Sequence, residues 1–248
     1  MGKILAIFRA ILVVLYTGWQ ILLLATESLF RGASLSVGYR HRGYWGRNTM
    51  RIEGIKLVEK IGQITVPVAL IVSNHRSLLD PVIQAAYINA HIIAKDAVGN
   101  LPMIGKGARM TGIVFVKREK LRSRLAARNA TKELLEQGIS VLVYAEGTTG
   151  TNKTTNGFKS GTFALATELG IPVIPVAIEY PKVQDFWTSG GMGAQMMRQT
   201  GKWNTKAKLR FGEPLYGSDP RELMKETQKW IDTNLAQMQE GWSEMFPS

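Results

Sequence analysis

An apolar run at residues 4–25 limits this chain to a small set of folds. The run carries one charge, Arg9, and one strongly polar side chain, Gln20. As an α-helix its 22 residues would span about 33 Å, close to the roughly 30 Å hydrocarbon core of a bilayer. We therefore expect a membrane-associated helix, with Lys3 and Arg9 reaching lipid headgroups. A cleaved signal peptide and a buried helix of a soluble protein are the two alternatives.

Basic and aromatic residues are concentrated just after this run. The stretch contains Arg31, Arg40, His41, Arg42, Arg47, Arg51 and Lys56, with Tyr39, Tyr44 and Trp45 between them. The whole chain has 31 Lys and Arg against 19 Asp and Glu, a formal net charge of +12. Such a charge favours an anionic partner: a phospholipid surface, a nucleic acid or a phosphorylated substrate. Beside an apolar helix the pattern indicates anionic headgroups, and a solvated loop is the alternative.

Four short apolar runs rich in β-branched residues predict buried strands. They are bounded by Gly, Pro or Asn and lie at residues 68–73, 112–117, 139–144 and 173–178. Helical segments separate them, so we expect an α/β fold with a mixed, mostly parallel sheet flanked by helices and an N-terminal membrane-associated helical element. Because Pro172 and Pro175 fall at the last run, we expect that strand at an edge of the sheet.

Start and stop signals place three of the helices. Segment 122–137 ends at Gly138, and segment 160–169 ends at Gly170. Asp219 and Pro220 begin a third helix, whose apolar stripe consists of Leu223, Trp230, Ile231, Leu235 and Met238. Residues 189–201 lack periodicity, and we expect a mobile loop there. We divide the chain into an N-terminal membrane-associated helical segment, residues 1–50, and one domain, residues 51–248.

The absence of cysteine excludes thiol nucleophiles and thiolate metal sites, and three histidines leave few imidazoles. His75 directly follows the first predicted strand, and Asp80 lies five residues later. Imidazole suits proton abstraction near neutral pH, and a carboxylate on its other nitrogen fixes the tautomer. Five residues exceed the spacing of one helix face, so the pair meets only if the turn folds back into the next helix. A structural histidine at a strand end is the alternative.

Two further polar clusters follow predicted strands. Glu146 and Gly147 come after the third strand, where backbone amides and a glycine let a substrate approach closely. Lys117 and Arg118 end the second strand, and the guanidinium of Arg118 can bind two phosphate oxygens at once. A solvated basic strand end is the alternative interpretation of the second cluster.

Taken in order, four blocks of this sequence resemble the glycerolipid acyltransferase family. Residues 74–80, Asn-His-Arg-Ser-Leu-Leu-Asp, match its His-x4-Asp motif, and residues 112–118 match the block that contains its phosphate-binding arginine. Residues 146–148, Glu-Gly-Thr, match the third block, and residues 171–176 match the fourth, which we interpret as structural or as acyl-chain lining. Four ordered blocks are far more specific than any one of them.

The resemblance implies a membrane-bound O-acyltransferase that acylates the free hydroxyl of a lysophospholipid. His75 would be the general base and Asp80 its orienting carboxylate, and Lys95 or a backbone amide would stabilise the oxyanion. The expected substrate-binding residues are Asn74, Arg76, Lys117, Arg118, Glu146, Gly147, Thr148, Thr149 and Lys159. Acyl-CoA or acyl carrier protein would be the co-substrate, with no metal or other cofactor. Membrane phospholipid and lysophospholipid are the expected partners, and the cytoplasmic face of the inner membrane is the expected location.

The third block departs from the family members that form phosphatidic acid, which usually read Pro-Glu-Gly-Thr-Arg. Ala145 and Thr149 replace the proline and the phosphate-binding arginine, and Lys159 can supply part of the missing charge. The leading acceptor is 1-acylglycerol-3-phosphate; lysophosphatidylcholine, lyso-ornithine lipid and glycerol 3-phosphate are the alternatives. A non-catalytic lipid-transfer protein would leave the pair of His75 and Asp80 unexplained. A nucleic-acid-binding protein would leave the apolar N-terminal run unexplained.

Overall fold

A seven-stranded sheet with helices on both faces forms the centre of the molecule, within the part of the chain that the computed structural model describes: residues 2–95, 108–116, 122–187 and 191–242. The helices are α1 (Gly2–Arg31), α2 (Leu35–Glu53), α3 (Asp80–Ala85), α4 (Arg122–Glu136), α5 (Ser160–Leu169), α6 (Met192–Thr200) and α7 (Pro220–Gln239). The strands are β1 (Ile55–Ile61), β2 (Leu70–Ser73), β3 (His91–Lys95), β4 (Ile113–Val116), β5 (Val141–Tyr144), β6 (Val173–Glu179) and β7 (Thr205–Phe211). A 3₁₀ turn covers Val183–Asp185.

The strands follow the order β1-β7-β6-β2-β5-β3-β4. From β6 to β4 all neighbours are parallel, whereas β7 is antiparallel to β6 and β1 is parallel to β7. The predicted mixed, mostly parallel sheet is therefore confirmed. The carboxyl ends of β6, β2, β5, β3 and β4 meet at one side of the sheet, which we call the carboxyl edge. Ligand sites of open α/β sheets lie at such edges.

The four predicted runs correspond to β2, β4, β5 and β6. Strands β1 and β7 are not continuous apolar runs, because their side chains alternate between a buried and a more exposed face. They were therefore not predicted from the sequence. In β7, for example, Ala207, Leu209 and Phe211 are buried and the residues between them are charged. Such strands have one face on the core and one face nearer to water.

The predicted edge position of β6 is wrong. All seven of its residues are buried, and it lies between β2 and β7. Pro175 is tolerated because its carbonyl accepts from the amide of Gly212, at 2.8 Å, just past the end of the β7 ladder. The backbone nitrogen of a strand residue points to the same neighbouring strand as its carbonyl oxygen. The N–H that Pro175 lacks would therefore point past the end of β7, where the pairing of β6 with β7 has already ended.

Three of the predicted helix boundaries are confirmed. Gly138 and Gly170 end α4 and α5 with φ values of 74° and 62°, in the left-handed region that glycine adopts without strain. The carboxylate of Asp219 accepts from the amides of Arg221 and Glu222 at the start of α7. The expectation of a loop over residues 189–201 is wrong, because residues 192–200 form α6. Gln195 and Gln199 are buried in that helix.

Helices α1 and α2 pack side by side in opposite directions along the domain. The indole of Trp45 donates to Thr17 at 2.9 Å, and Asn48 donates to Tyr16 at 2.6 Å. Large apolar side chains on the other side of α1 are exposed: Ile4, Ile7, Phe8, Ile11, Val14, Leu15, Trp19 and Leu22. Among the described residues, α1 is the one helix that is long and apolar enough to cross a bilayer. Signal sequences and buried core helices can have the same length and composition.

Arg9 does not reach outward from α1 as the sequence suggested. It is buried, and its guanidinium donates to the carbonyls of Thr200 and Trp203 at 3.0 Å each and to the carbonyl of Lys202. Helix C-termini leave carbonyls without partners, and a cation satisfies them. Arg9 therefore fastens the first turns of α1 to the end of α6.

Part of the basic stretch after α1 is also turned inward. Arg42 is buried, and its guanidinium donates to the carbonyls of Ile88 and Thr111, both at 2.7 Å. Burial lowers the pKa of Arg42 to about 10. Arg42 thus holds α2 against the sheet and is not available to headgroups, whereas Arg31 and Arg40 are exposed and pair with Glu27.

Candidate active site

The turn between β2 and α3 brings His75 and Asp80 together. Strand β2 ends at Ser73, and Asp80 with Pro81 begins α3, so the chain folds back over six residues. Nδ1 of His75 lies 2.7 Å from Oδ2 of Asp80, which also accepts from the backbone amides of Arg76 and Ser77 at 2.6 and 2.9 Å. Asp80 is fully buried, and a buried carboxylate needs such donors. The turn therefore folds back as a contact between His75 and Asp80 requires.

Tyr180 supplies the remaining donor to this carboxylate. Its hydroxyl lies 2.5 Å from Oδ1 of Asp80, and the side chain is fully buried. Burial first, and the negative charge of Asp80 next, raise the pKa of Tyr180 well above its usual range, so the hydroxyl stays a donor. Sequence reasoning missed this residue. The available signal was its position directly after β6, at the same carboxyl edge as His75.

Tyr144, the last residue of β5, packs flat against the imidazole of His75. The ring centroids are 4.1 Å apart and the planes differ by 18°. The hydroxyl of Tyr144 donates to Gln84 Oε1 at 2.7 Å, and the amide of Gln84 donates to Ser73 Oγ, also at 2.7 Å. This network fixes the ring that supports His75. The sequence placed Tyr144 beside Glu146 without giving it a role.

Glu146 braces the same turn from the end of β5. Its Oε1 accepts from the amide of His75 at 2.9 Å and its Oε2 accepts from the amide of Asn156 at 2.8 Å. Burial is the largest influence and raises the pKa of Glu146, while these backbone hydrogen bonds oppose the shift. The amide of Gly150 donates to the carbonyl of His75 at 2.8 Å. Glu146 therefore sets the backbone of His75, and its expected contact with substrate stays a prediction.

Gly147 leaves room for a cation beside this turn. A Cβ built on Gly147 would lie 2.2 Å from Nζ of Lys159, and its φ is 71°. The ammonium of Lys159, on an exposed residue at the start of α5, thus occupies the space that a side chain at 147 would fill. Thr148 is exposed, and the hydroxyl of Thr149 lies 3.4 Å from the carbonyl of Trp187.

The side chains of Asn74 and Arg76 are turned into the protein, and their expected substrate contacts stay predictions. The side chain of Asn74 is fully buried and exchanges two hydrogen bonds of 2.9 Å with the backbone of Ile178, which ties β2 to β6. Arg76 is also buried, pairs with Glu179 at 3.0 Å, and donates to the carbonyls of Gly150 and Asn152. Neither side chain is open to a ligand, so both support the turn that carries His75.

The side chains of three expected cationic residues lie outside the described part of the structure. Lys95 is the last residue of β3, two strands from β2 at the carboxyl edge, and its side chain lies outside the described part of the structure. Lys117 and Arg118 lie outside the described residues altogether. Their expected roles therefore stay predictions.

The geometry suits His75 to accept a proton. The side chain is 19% exposed, and Nε2 has no hydrogen-bond partner among the residues described. Nδ1 faces Asp80, which orients the ring and stabilises the imidazolium that would form. The open nitrogen lies at the carboxyl edge, on a turn whose backbone is hydrogen-bonded to Glu146 and Gly150. No serine hydroxyl of the described residues hydrogen-bonds this nitrogen, and the chain has no cysteine, so the imidazole is arranged to take a proton from a bound molecule and not from a nucleophilic side chain.

Comparison with known proteins places this site in a family. A family model described as Acyltransferase matches residues 56–179. The 1-acyl-sn-glycerol-3-phosphate acyltransferase of Helicobacter pylori is 32% identical over 130 residues, which cover 51% of this chain and 54% of that protein. A lysophospholipid acyltransferase of Arabidopsis thaliana is 25% identical over 186 residues, 70% of this chain and 33% of that protein. The matched region thus spans about half or less of these relatives.

A solved structure has the same fold over nearly the whole chain. The 1-acyl-sn-glycerophosphate acyltransferase from Thermotoga maritima superposes with a TM-score of 0.77 at 21% identity, over 98% of this chain and 100% of that one. The four sequence blocks all fall within the region that the family model matches, which is half of the chain. The chain with the pair of His75 and Asp80 at its carboxyl edge therefore belongs to the glycerolipid acyltransferase family.

Proposed function

We propose that this protein is a membrane-bound O-acyltransferase that transfers a fatty acyl group from acyl-CoA or acyl carrier protein to the hydroxyl of a lysophospholipid. The observation that carries the proposal is the imidazole of His75, which is held by Asp80 through Nδ1 and open at Nε2. Family membership and the relatives named for such reactions support it.

In the proposed reaction, Nε2 of His75 removes the proton of the acceptor hydroxyl as the oxygen attacks the thioester carbonyl carbon. The tetrahedral intermediate then expels the thiolate: the carbon–sulfur bond breaks, the ester forms, and the proton on His75 passes to the sulfur. Asp80 stabilises the imidazolium between these steps. Lys95 or a backbone amide at the carboxyl edge stabilises the oxyanion. A Lys95→Ala enzyme with unchanged turnover would remove that side chain from the role.

For the acceptor, we propose 1-acylglycerol-3-phosphate, with phosphatidic acid as the product. Lys159 beside Gly147 supports an anionic headgroup at the turn, and Lys117 and Arg118 are expected to add to it. Thr149 in place of the family's usual arginine favours the second candidate, another lysolipid such as lysophosphatidylcholine or lyso-ornithine lipid. A single lysine is a point charge and cannot form the two parallel hydrogen bonds of a guanidinium.

We further propose that α1 lies in the membrane interface and does not cross the bilayer, at the cytoplasmic face of the inner membrane. Polar contacts hold one side of α1 to the domain from Arg9 to Glu27, and its other side is apolar and exposed. Crossing the bilayer would break these contacts and leave buried polar groups unpaired. A helix with one apolar side suits burial at the boundary between headgroups and acyl chains.

The test is acyl transfer by detergent-purified protein from palmitoyl-CoA to lysophosphatidate, lysophosphatidylcholine, lyso-ornithine lipid and glycerol 3-phosphate. We expect His75→Ala to lower the rate by about a thousandfold, within the range for loss of a general base. His91→Gln is the matched control, since His91 begins β3 at the opposite side of the sheet and should keep its activity. If the protein binds lipid but shows no turnover, either with palmitoyl-CoA or with acyl carrier protein as the donor, the result would instead indicate a transfer protein.

A further inference from the structure

The polarity of α6 is reversed relative to an ordinary surface helix. Its polar side chains Gln195 and Gln199 face inward and are 0% and 3% exposed, whereas Met196 and Met197 are 45% and 39% exposed. A helix on the surface of a soluble domain normally buries its apolar residues and exposes the polar ones. Burying two amides costs free energy unless they are hydrogen-bonded, so this arrangement requires specific partners.

Those partners are backbone carbonyls of the 3₁₀ turn and of the residues that flank it. Gln195 donates to the carbonyl of Phe186 at 2.8 Å, and Gln199 donates to the carbonyl of Asp185 at 2.8 Å and to that of Gln184 at 3.2 Å. The two buried amides on the inward side of α6 therefore have specific hydrogen-bond partners. The helix is held in a fixed rotation, and its methionines are held outward.

Helix α6, with its exposed methionines, is a neighbour of α1, which exposes its own apolar side chains. The two helices pack together, and Arg9 of α1 binds the carbonyls of Thr200 and Trp203. Trp203 lies three residues after the end of α6 and is 71% exposed. Large exposed apolar side chains on α6 and on the segment after it are unusual for a surface in water, and tryptophan is enriched where a membrane meets water.

The position of this surface relative to His75 adds a reason for lipid contact. Strand β7 starts at Thr205 and runs antiparallel to β6, so Trp203 lies beyond the carboxyl edge. The segment that α6 holds also reaches the turn of His75: the amide of Trp187 donates to the carbonyl of Arg76 at 2.7 Å, and the guanidinium of Arg76 lies 5.1 Å from the ring of Phe186. Lipid in contact with α6 would thus meet the edge where acylation takes place.

We propose that Met196, Met197 and Trp203 form a second lipid-contacting surface, next to α1, which inserts into the membrane at the side of the active site. The partner is a phospholipid surface, and the inference rests on the proposed membrane association of α1. The function of this surface is to seat the carboxyl edge against the bilayer, so that a lysolipid acceptor reaches His75 without passing through water.

The absence of cysteine from the chain makes a direct test possible, because one introduced thiol can carry one fluorescent label. Met196→Cys tests the inference, Leu15→Cys on the exposed side of α1 tests the proposed membrane association, and Tyr216→Cys is the control. Tyr216 is 66% exposed, and its neighbour Leu215 pairs with Val173 at the opposite end of β6. Each variant carries an environment-sensitive dye and is mixed with vesicles of equal parts phosphatidylglycerol and phosphatidylcholine, with or without a nitroxide quencher on the acyl chains.

We expect blue-shifted and quenched emission from the labels at positions 196 and 15, and no change at position 216. Quenching at 15 but not at 196 would overturn the inference and leave the membrane association of α1 standing. Quenching at neither position would overturn both. A blue shift at 196 without lipid, growing with protein concentration, would show that the surface binds a second copy of the chain and would also overturn the inference.

A kinetic measurement tests the purpose of the surface. The double variant Met196→Gln with Met197→Gln changes exposed side chains only, so the fold should persist. We expect KM for a long-chain lysolipid in vesicles to rise about tenfold, the factor for roughly 1.4 kcal/mol of lost lipid contact, with kcat unchanged. A water-soluble short-chain acceptor should show no change in KM. Equal effects on both acceptors would contradict a role in seating the protein on the membrane.

Discussion

At the scale of single residues, the site depends on how completely Asp80 is surrounded by donors. The imidazole of His75, two backbone amides and the hydroxyl of Tyr180 account for both carboxylate oxygens. A buried carboxylate with these partners has one preferred orientation, and the imidazole bound to it is oriented as well. Tyr180 is therefore a positioning residue that acts on His75 through Asp80.

We expect Tyr180→Phe to lower kcat about tenfold, which corresponds to roughly 1.4 kcal/mol of lost transition-state stabilisation, with little change in KM. With one donor fewer, Asp80 attracts the imidazolium more strongly, so the acidic limb of the kcat–pH profile should move to higher pH. Steady-state kinetics across the pH range check both effects. A lower kcat with an unmoved profile would mean that Tyr180 only supports the packing, and Tyr144→Phe, which keeps the ring against His75, provides the comparison.

The sequence predicted the candidate pair of His75 and Asp80 but not the residues that hold it. His75 and Asp80 could be found because only four residues separate them in the sequence. Tyr180 is 100 positions away from Asp80, and Glu179 is 103 positions away from Arg76. Contacts of this kind depend on the strand order, which no local pattern contains. For the same reason Arg76, a cation inside the motif, was expected to bind substrate although it pairs with Glu179.

At the scale of elements, α1, α2 and α6 meet at a buried polar junction. Arg9 comes from α1 and Thr200 from α6, and Glu53 is the last residue of α2. Oε2 of Glu53 is buried and has no hydrogen-bond partner among the described residues. Burial raises the pKa of Glu53, and the positive charge of Arg9 opposes this. The ionised carboxylate is thus less favourable in the folded protein than in the unfolded chain.

This shift predicts a pH dependence of stability. A raised folded-state pKa means that the contribution of Glu53 to stability is present below the pKa of an unfolded glutamate, about 4.3, and is lost as the pH rises through the higher folded value. Glu53→Gln mimics the protonated form. We therefore expect its Tm, relative to that of the unmodified protein, to increase between about pH 4 and about pH 8.

Thermal unfolding at several pH values measures this difference. Glu226→Gln, at an exposed position on α7, is the matched control and should give a Tm difference that does not change with pH. A Tm difference for Glu53→Gln that stays constant with pH would show that the ionised carboxylate is as stable in the folded protein as in water. That outcome would contradict the prediction.

Element boundaries were predictable where local chemistry determines them. Gly138, Gly170 and Asp219 end or begin helices because their own conformations or side chains satisfy the backbone there. The α6 segment was expected to be a loop because its helical face is polar and its outer side chains are methionines. That face is stabilised by carbonyls of a turn before it in the chain, so tertiary contacts determine the helix.

At the scale of the whole molecule, the net charge of +12 and the apolar outer sides of α1 and α6 make separable contributions to membrane binding. Attraction between the protein's positive charge and anionic lipid falls with salt, since the Debye length shrinks from about 10 Å at 0.1 M to about 3 Å at 1 M. Burial of apolar side chains does not weaken in this way.

We therefore expect binding to phosphatidylglycerol vesicles to weaken as salt increases and then to level off at the binding seen with phosphatidylcholine alone. Vesicle sedimentation at a series of salt concentrations measures both components. The His75→Ala variant should bind with the same profile, because binding does not require turnover. Complete release at high salt would show that charge alone holds the protein to lipid and would contradict insertion of the apolar surface.

The bond between Arg9 and Thr200 joins residues 191 positions apart, and this separation has a consequence for biosynthesis. A ribosome adds about 5 to 20 residues per second, so roughly 10 to 40 seconds separate the synthesis of α1 from that of its docking site. During that interval α1 and α2 have been made, whereas the end of α6, which will bind Arg9, has not. An early encounter between the nascent helix and lipid would protect it from aggregation, and the chain would then assemble at the lipid surface where the proposed acceptor resides.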